Sequence, residues 1–186
     1  MDNGASSYRR FLNGEVEGLN ELVEEYKDGL ILYLNGYVNN LHIAEELTEG
    51  TFFRLITKRP NFSGKSTFKS WLYAIGRNIA IDYIRHNSRQ ISVSIDDMKK
   101  YLIEEQCLEE LYIKDEEKIA VYKALHKLTP DYRNAIWLKY FEGFSNKETA
   151  MVLKKNDRQL KNLLYRAKKS LKSILEKEEG FSYEKQ

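Results

Sequence analysis

The chain has 186 residues, 42% of them hydrophobic and 31% charged, with only 2 Pro and 10 Gly, a balance that suits short polar-faced helices and argues against a turn-rich β-sandwich. The formal net charge of +2 points to no partner, and the single cysteine, Cys107, excludes an intramolecular disulfide and argues against a cysteine-based zinc site. No run of about 18 apolar residues is present to span a membrane, and Met1 to Arg10 lacks the apolar core of a signal peptide, so no membrane insertion and a cytoplasmic location are expected.

Apolar residues at Leu19, Leu22, Val23, Tyr26, Leu30, Tyr33, Leu34, Tyr37 and Leu41 recur in steps of three and four, which predicts helix from Glu15 to Leu41. Gly29 and Gly36 are expected to break it into two. A further helix is predicted from Ile43 to Thr57, ended by Pro60 and Gly64. The next is predicted to start with Ser66 as its cap and to run to about His86 on the stripe Phe68, Trp71, Leu72, Ile75, Ile79 and Tyr83. Trp71 reads as a core residue and Tyr73 as an exposed one. Four helices over residues 12–89 make a compact bundle.

Residues 90–117 lose this regularity. Between Asp96 and Glu117 there are nine acids and three lysines, and the segment reads as an acidic, flexible linker between two domains.

Helical period returns from Lys118 with Val121, Leu125 and Leu128. Thr129 and Pro130 are placed to cap and start a second helix, which Gly143 ends. Ser145-Asn146-Lys147-Glu148 is a capping-box sequence for a short third helix. The last helix carries Leu160, Leu163, Leu164, Ala167, Leu171, Ile174 and Leu175 on one stripe. The second domain thus covers residues 118–176, and the fold class is all-α: two small helical domains joined by the linker.

Two short helices separated by a tight turn form a helix-turn-helix. The stripe of the last helix leaves Arg158, Gln159, Lys161, Asn162, Tyr165 and Arg166 facing outwards, a set rich in groups that bond base edges in the major groove. From Lys154 to Ser173 there are eight basic residues and one acid. Lys154, Lys155, Lys168 and Lys169, with Arg166, suit phosphates. A solvated lysine-rich surface is the competing reading of charge alone; the capped helix, the turn and the Pro-started helix favour DNA.

Asp131-Tyr132-Arg133 through Leu138 to Ala150, followed by Leu164-Tyr165-Arg166-Ala167-Lys168-Lys169, resembles region 4 of the sigma-70 family. Ala44-Glu45-Glu46-Leu47-Thr48-Glu49-Gly50-Thr51-Phe52 resembles region 2.2, and Phe68 to Arg85 resembles regions 2.3 and 2.4. The three stretches stand in family order over about residues 12–175, and the two-domain layout is that of the extracytoplasmic-function (ECF) type. The resemblance implies a factor that binds core RNA polymerase and directs it to promoters. Glu45, Glu46, Thr48, Glu49 and Phe52 would dock on the clamp helices of the largest polymerase subunit, and the second domain would meet the flap of the second-largest. Lys65, Ser66, Thr67, Lys69, Arg77, Asn78 and Arg85 would hold the melted minus-ten element, where cationic groups meet the strand and a pocket takes an unstacked base. The recognition helix would read the minus-thirty-five element. Promoter DNA and core polymerase are thus the expected partners, an anti-sigma factor is left open, and the acidic linker would either follow a basic path on the polymerase or serve as an ordinary disordered acidic spacer.

The sequence departs from the family pattern at three places. Lys154-Lys155-Asn156 replaces the usual Gly-hydrophobic-Ser turn. Leu163 replaces a common arginine, so promoter preference does not transfer from relatives. Gly76 stands where a larger residue is usual, which costs a helix about 1 kcal/mol relative to Ala. A free-standing helix-turn-helix regulator is the alternative reading of the C-terminal half. An enzyme is not expected: His42, His86 and His126 lie on three separate segments without metal spacing, no phosphate loop or nucleophile motif is present, and no cofactor is implied.

Overall fold

A computed structural model describes residues 3–90 and 116–177; the acidic linker falls largely outside them. The described chain is helical: α1 (Asn3–Leu12), α2 (Val16–Val38), α3 (Leu41–Lys58), α4 (Phe68–Gln90), α5 (Glu116–His126), α6 (Pro130–Ile136), a π-helical turn (Trp137–Phe141), α7 (Asn146–Leu153) and α8 (Asp157–Lys177). The first four make an N-terminal module and the rest a C-terminal one.

Helix α1 extends the bundle before residue 12. Its Tyr8 is buried against Phe68 and Trp71, with ring centroids 5.3 and 5.5 Å apart, and donates its hydroxyl to the Pro60 carbonyl at 2.8 Å. Trp71 joins this aromatic cluster as expected, next to Phe62 at 5.2 Å.

Helix α2 is unbroken across both glycines. Its residues from Leu30 to Gly36 are all buried, because one side meets α3 and α4 and the other meets the C-terminal module. The glycines make room rather than turns. A Cβ on Gly29 would lie 2.6 Å from the Tyr73 hydroxyl, and one on Gly36 would lie 2.3 Å from Asn134 Oδ1. Gly76 has the same logic within the bundle: an added Cβ would stand 3.1 Å from Leu30 Cδ1. Close helix packing accounts for the propensity cost noted at that position.

Helix starts differ in detail from expectation. Thr67, not Ser66, accepts from the Ser70 N–H at the start of α4. Thr129 precedes Pro130 without a side-chain cap bond. The Ser145–Glu148 capping box forms in both directions. In the turn before α8 it is Lys154 that takes the left-handed conformation, φ +53°, while Asn156 caps the helix.

The two modules do not stand apart. Their buried apolar residues form one continuous cluster, with α2 and α4 packed on α6 and α7. Tyr73 is therefore fully buried, not exposed: it stacks on Tyr33 at 5.2 Å and meets Phe144 of the C-terminal module edge-on at 5.3 Å.

Candidate nucleic-acid and polymerase interfaces

In the C-terminal module, Leu160, Leu164, Ala167 and Leu175 bury one side of α8. The opposite side is open: Arg158, Gln159, Lys161, Asn162, Tyr165 and Arg166 are all exposed, Tyr165 by 71%. Asn156 and Gln159 cap each other, the Asn156 N–H donating to Gln159 Oε1 at 2.9 Å and the Gln159 N–H to Asn156 Oδ1 at 2.8 Å. Gln159 thus has its oxygen engaged and its amide NH2 outward. Lys161 pairs with Asp157 at 2.8 Å and Lys155 with Asp131 at 3.3 Å. The first contact is exposed on both sides and the second on its Asp131 side, so both cost little to exchange for phosphate. Lys168 lies over the Tyr140 ring at 4.8 Å, and Lys154 and Lys169 are exposed.

The residues proposed for the minus-ten element divide into groups. Lys65 and Arg85 are exposed and Ser66 is half-buried; Arg85 pairs with Asp82 at 3.5 Å. Arg77 and Asn78 are half-buried, and the Arg77 charge acts on Tyr33 and Tyr37. Thr67 and Lys69 face the C-terminal module. The Thr67 hydroxyl donates to Glu148, and Lys69 Nζ pairs with Glu142 Oε2 at 2.8 Å and donates to the Glu142 carbonyl at 3.1 Å. Burial, with the Glu142 charge beside it, pushes the Tyr73 hydroxyl well above its usual pKa. Glu148 loses solvent too, but bonds from Ser145 and Thr67 outweigh that loss and hold its carboxyl below the ordinary range.

On α3, Glu46 and Glu49 are exposed and Glu45 is half-buried, with His42 3.4 Å from Glu46. Thr48 and Phe52 turn inward: Thr48 bonds the Ala44 carbonyl at 2.8 Å and Phe52 is only 6% exposed. The exposed apolar groups on this helix are Phe53 at 63% and Ile56 at 42%. With Val23, Lys27, Glu46 and Glu49 they border a groove of about 580 Å³. Sequence reading missed Phe53 and Ile56, which stand three residues apart on one side of the helix, beside the buried positions Phe52 and Leu55.

Residues 22–90 match the family model "Sigma-70 region 2", and residues 118–171 match "Sigma-70, region 4". The ECF RNA polymerase sigma factor SigX of Bacillus subtilis is 30% identical over 159 residues, covering 83% of this chain and 82% of SigX. The chain belongs to the sigma-70 family, in its ECF branch. The ECF sigma factor BldN of Streptomyces coelicolor is 28% identical over 87% of this chain, which spans 62% of BldN. Among solved structures, the complex of the sigma factor RpoE with the anti-sigma factor NepR from Bartonella quintana matches with a TM-score of 0.65 at 21% identity, covering 86% of this chain and 97% of that one. That likeness supports the all-helical fold of this sigma factor. Among its described residues, no helix is long and apolar enough to cross a membrane.

Proposed function

We propose that this ECF sigma factor works in the cytoplasm, binds core RNA polymerase and directs initiation by holding two promoter elements. The face of α8 would read the minus-thirty-five element, with Arg158, Gln159, Lys161 and Asn162 at the bases and Lys154, Lys155, Arg166, Lys168 and Lys169 on phosphates. Thr67, Lys69, Arg77, Asn78 and Arg85, with the loop at Lys65 and Ser66, would hold the melted minus-ten strand. Helix α3 would dock on a polymerase helix pair through Glu45, Glu46 and Glu49 around Phe53 and Ile56, an apolar centre with a charged rim of the kind interfaces use. The flap of the second-largest subunit would meet the C-terminal module. An anti-sigma factor is a further partner, as for the Bartonella quintana RpoE chain, whose solved complex with the anti-sigma factor NepR shares this fold.

The observation that carries the reading is the open polar face of α8. Six donor-bearing or aromatic side chains stand exposed on one side of a helix-turn-helix whose other side is core, and no packing need within the chain explains them. A free-standing regulator would leave the N-terminal family match without a use. Run-off transcription with purified core polymerase and a genomic promoter library tests it. Initiation at specific sites that requires the protein is expected; the same non-specific products with and without it would refute the proposal. Reversing charge at Glu45 and Glu46 is expected to weaken holoenzyme assembly without loss of helical content, and intact assembly would remove the docking face from α3.

A further inference from the structure

The first turn of α8 fixes one side chain of the open face more tightly than its residue type implies. Asn156 and Gln159 form a reciprocal cap: the Asn156 N–H donates to Gln159 Oε1 at 2.9 Å, and the Gln159 N–H donates to Asn156 Oδ1 at 2.8 Å. A backbone N–H can only donate, so the Gln159 atom that faces it is the oxygen, and the nitrogen is the atom left over. Turning the amide over would set donor against donor. Swinging it away would give up one of the two bonds of the cap, which satisfies N–H groups that a helix start otherwise leaves open. Gln159 Nε2 has no partner among the described residues, and the side chain stands exposed.

A glutamine or asparagine with a free amide reads adenine through both ends, accepting from N6 and donating to N7. Gln159 has lost its accepting end to the cap. What it still presents is an N–H2 group with two hydrogens. The base edge with two acceptors side by side in the major groove is that of guanine, at N7 and O6. Adenine would instead bring its own N6 amino group, a donor, toward the Gln159 nitrogen. We propose that Gln159 is a donor-only reader that selects guanine at one position of the minus-thirty-five element. The inference rests on the reading of α8 given above and deepens it by naming the base edge. Asn162 supplies the contrast within the same face. It lies three residues on, is exposed, and makes no hydrogen bond through its amide among the described residues, so both of its ends remain for a base.

Initiation by the holoenzyme from a promoter library randomised across the minus-thirty-five element tests the proposal in the full chain. The parent protein should prefer guanine at one position. In Gln159→Met, which has nearly the same length and neither amide atom, that preference should fall by about five-fold or more while preferences at the other positions stand. Gln159→Glu keeps an acceptor for the Asn156 N–H and removes the donor, so it separates reading from capping: the same position should lose its guanine preference although the cap remains. Replacing that one guanine with 7-deazaguanine, which carries a C–H in place of N7, should lower initiation by the parent several-fold and leave Gln159→Met nearly unaffected. Loss of a preference for any other base, adenine above all, would overturn the inference, because reading adenine in full needs the amide oxygen. A uniform change at every position would overturn it too, since that marks a phosphate contact, and so would library profiles identical to the parent's. If the parent holoenzyme initiates specifically but shows no base preference anywhere in the element, the assignment of α8 itself fails and takes this inference with it.

Discussion

Arg133 and His126 show how much of the seam between the modules depends on single side chains. Arg133 is 7% exposed, and no carboxylate pairs with it among the described residues. It donates instead to four carbonyls, those of Leu125, His126 and Leu128 at the end of α5 and of Gly36 near the end of α2. Helix C-terminal carbonyls carry partial negative charge, which stabilises the cation. Lysine has one point of charge and cannot reach all four. Arg133→Lys should therefore cost more than about 2 kcal/mol in chemical denaturation; a loss within error would mean the carbonyls are satisfied in other ways. His126 adds a pH dependence. Burial first, and then the Arg133 charge, lower its pKa from 6.5 to about 3. Its Nε2 is buried without a partner among the described residues, and its ring lies 4.5 Å from that of Tyr122. The unfolded chain takes up a proton below pH 6.5 that the folded chain refuses, so stability is complete above 6.5 and falls as the pH drops toward 3. The slope should approach about 1.4 kcal/mol per pH unit from this group. Urea titrations at pH 7.5 and 5.5 should show it, and His126→Asn should remove most of it; an equal slope in both proteins would place its cause elsewhere.

At the scale of elements, the π-helical turn after α6 is what aims Glu142. Its wider winding brings the Glu142 N–H to the Trp137 carbonyl at 3.1 Å and the carboxylate to the Trp137 indole N–H at 3.0 Å, while Trp137 stacks on Phe141 at 4.4 Å. The carboxylate then reaches Lys69. Such turns recur at functional positions in helices. The cap of α8 matters in a different way. Asn156→Ala should cost about 1 kcal/mol of stability and fray the first turn, which carries Arg158 and Gln159. Gln159→Glu keeps an acceptor for the Asn156 N–H but replaces the outward amide donor with an anion. Minus-thirty-five binding should fall in both variants, while the melting temperature should fall only in Asn156→Ala. If Gln159→Glu binds promoter DNA as the parent does, Gln159 serves the cap alone. The sequence made much of this legible. The 3.6-residue stripe located α3, α4 and α8, and the Ser145–Glu148 box marked α7 because both capping partners are local. The π turn was not legible, since its signal differs from an ordinary α-helical end only in which carbonyl is bonded. Nor was the continuity of α2. Gly29 and Gly36 carry no local sign that a second module will press on them, and a glycine read alone suggests a break.

For the whole molecule, the question is how firmly the seam holds. Tyr73 could not be placed from sequence because its burial depends on Phe144, 71 residues further on, and no periodicity within α4 reports that contact. The same long-range contact couples the stabilities of the modules. Leu32, Tyr122, Leu125 and Trp137 belong to one apolar cluster with the bundle core, so separating the modules exposes apolar surface on both. A loss of that size favours a single unfolding transition. Against it stand buried seam atoms without a partner among the described residues, such as His126 Nε2 and both amide atoms of Asn134, each of which costs about 1–3 kcal/mol. The balance fits a seam that holds in the free chain. Calorimetry separates the cases. The wild-type chain should melt in one transition whose calorimetric and van't Hoff enthalpies agree. Gly36→Val should split it, because even a Cβ at that position would lie 2.3 Å from the buried Asn134 amide oxygen and the modules must move apart to admit it. Helical content should be retained, since the bulk falls on the seam face of α2 and not on its contacts with α3 and α4. Two transitions in the wild-type chain would mean that the modules are already independent at rest, and the contacts between them would then add nothing to the stability of either.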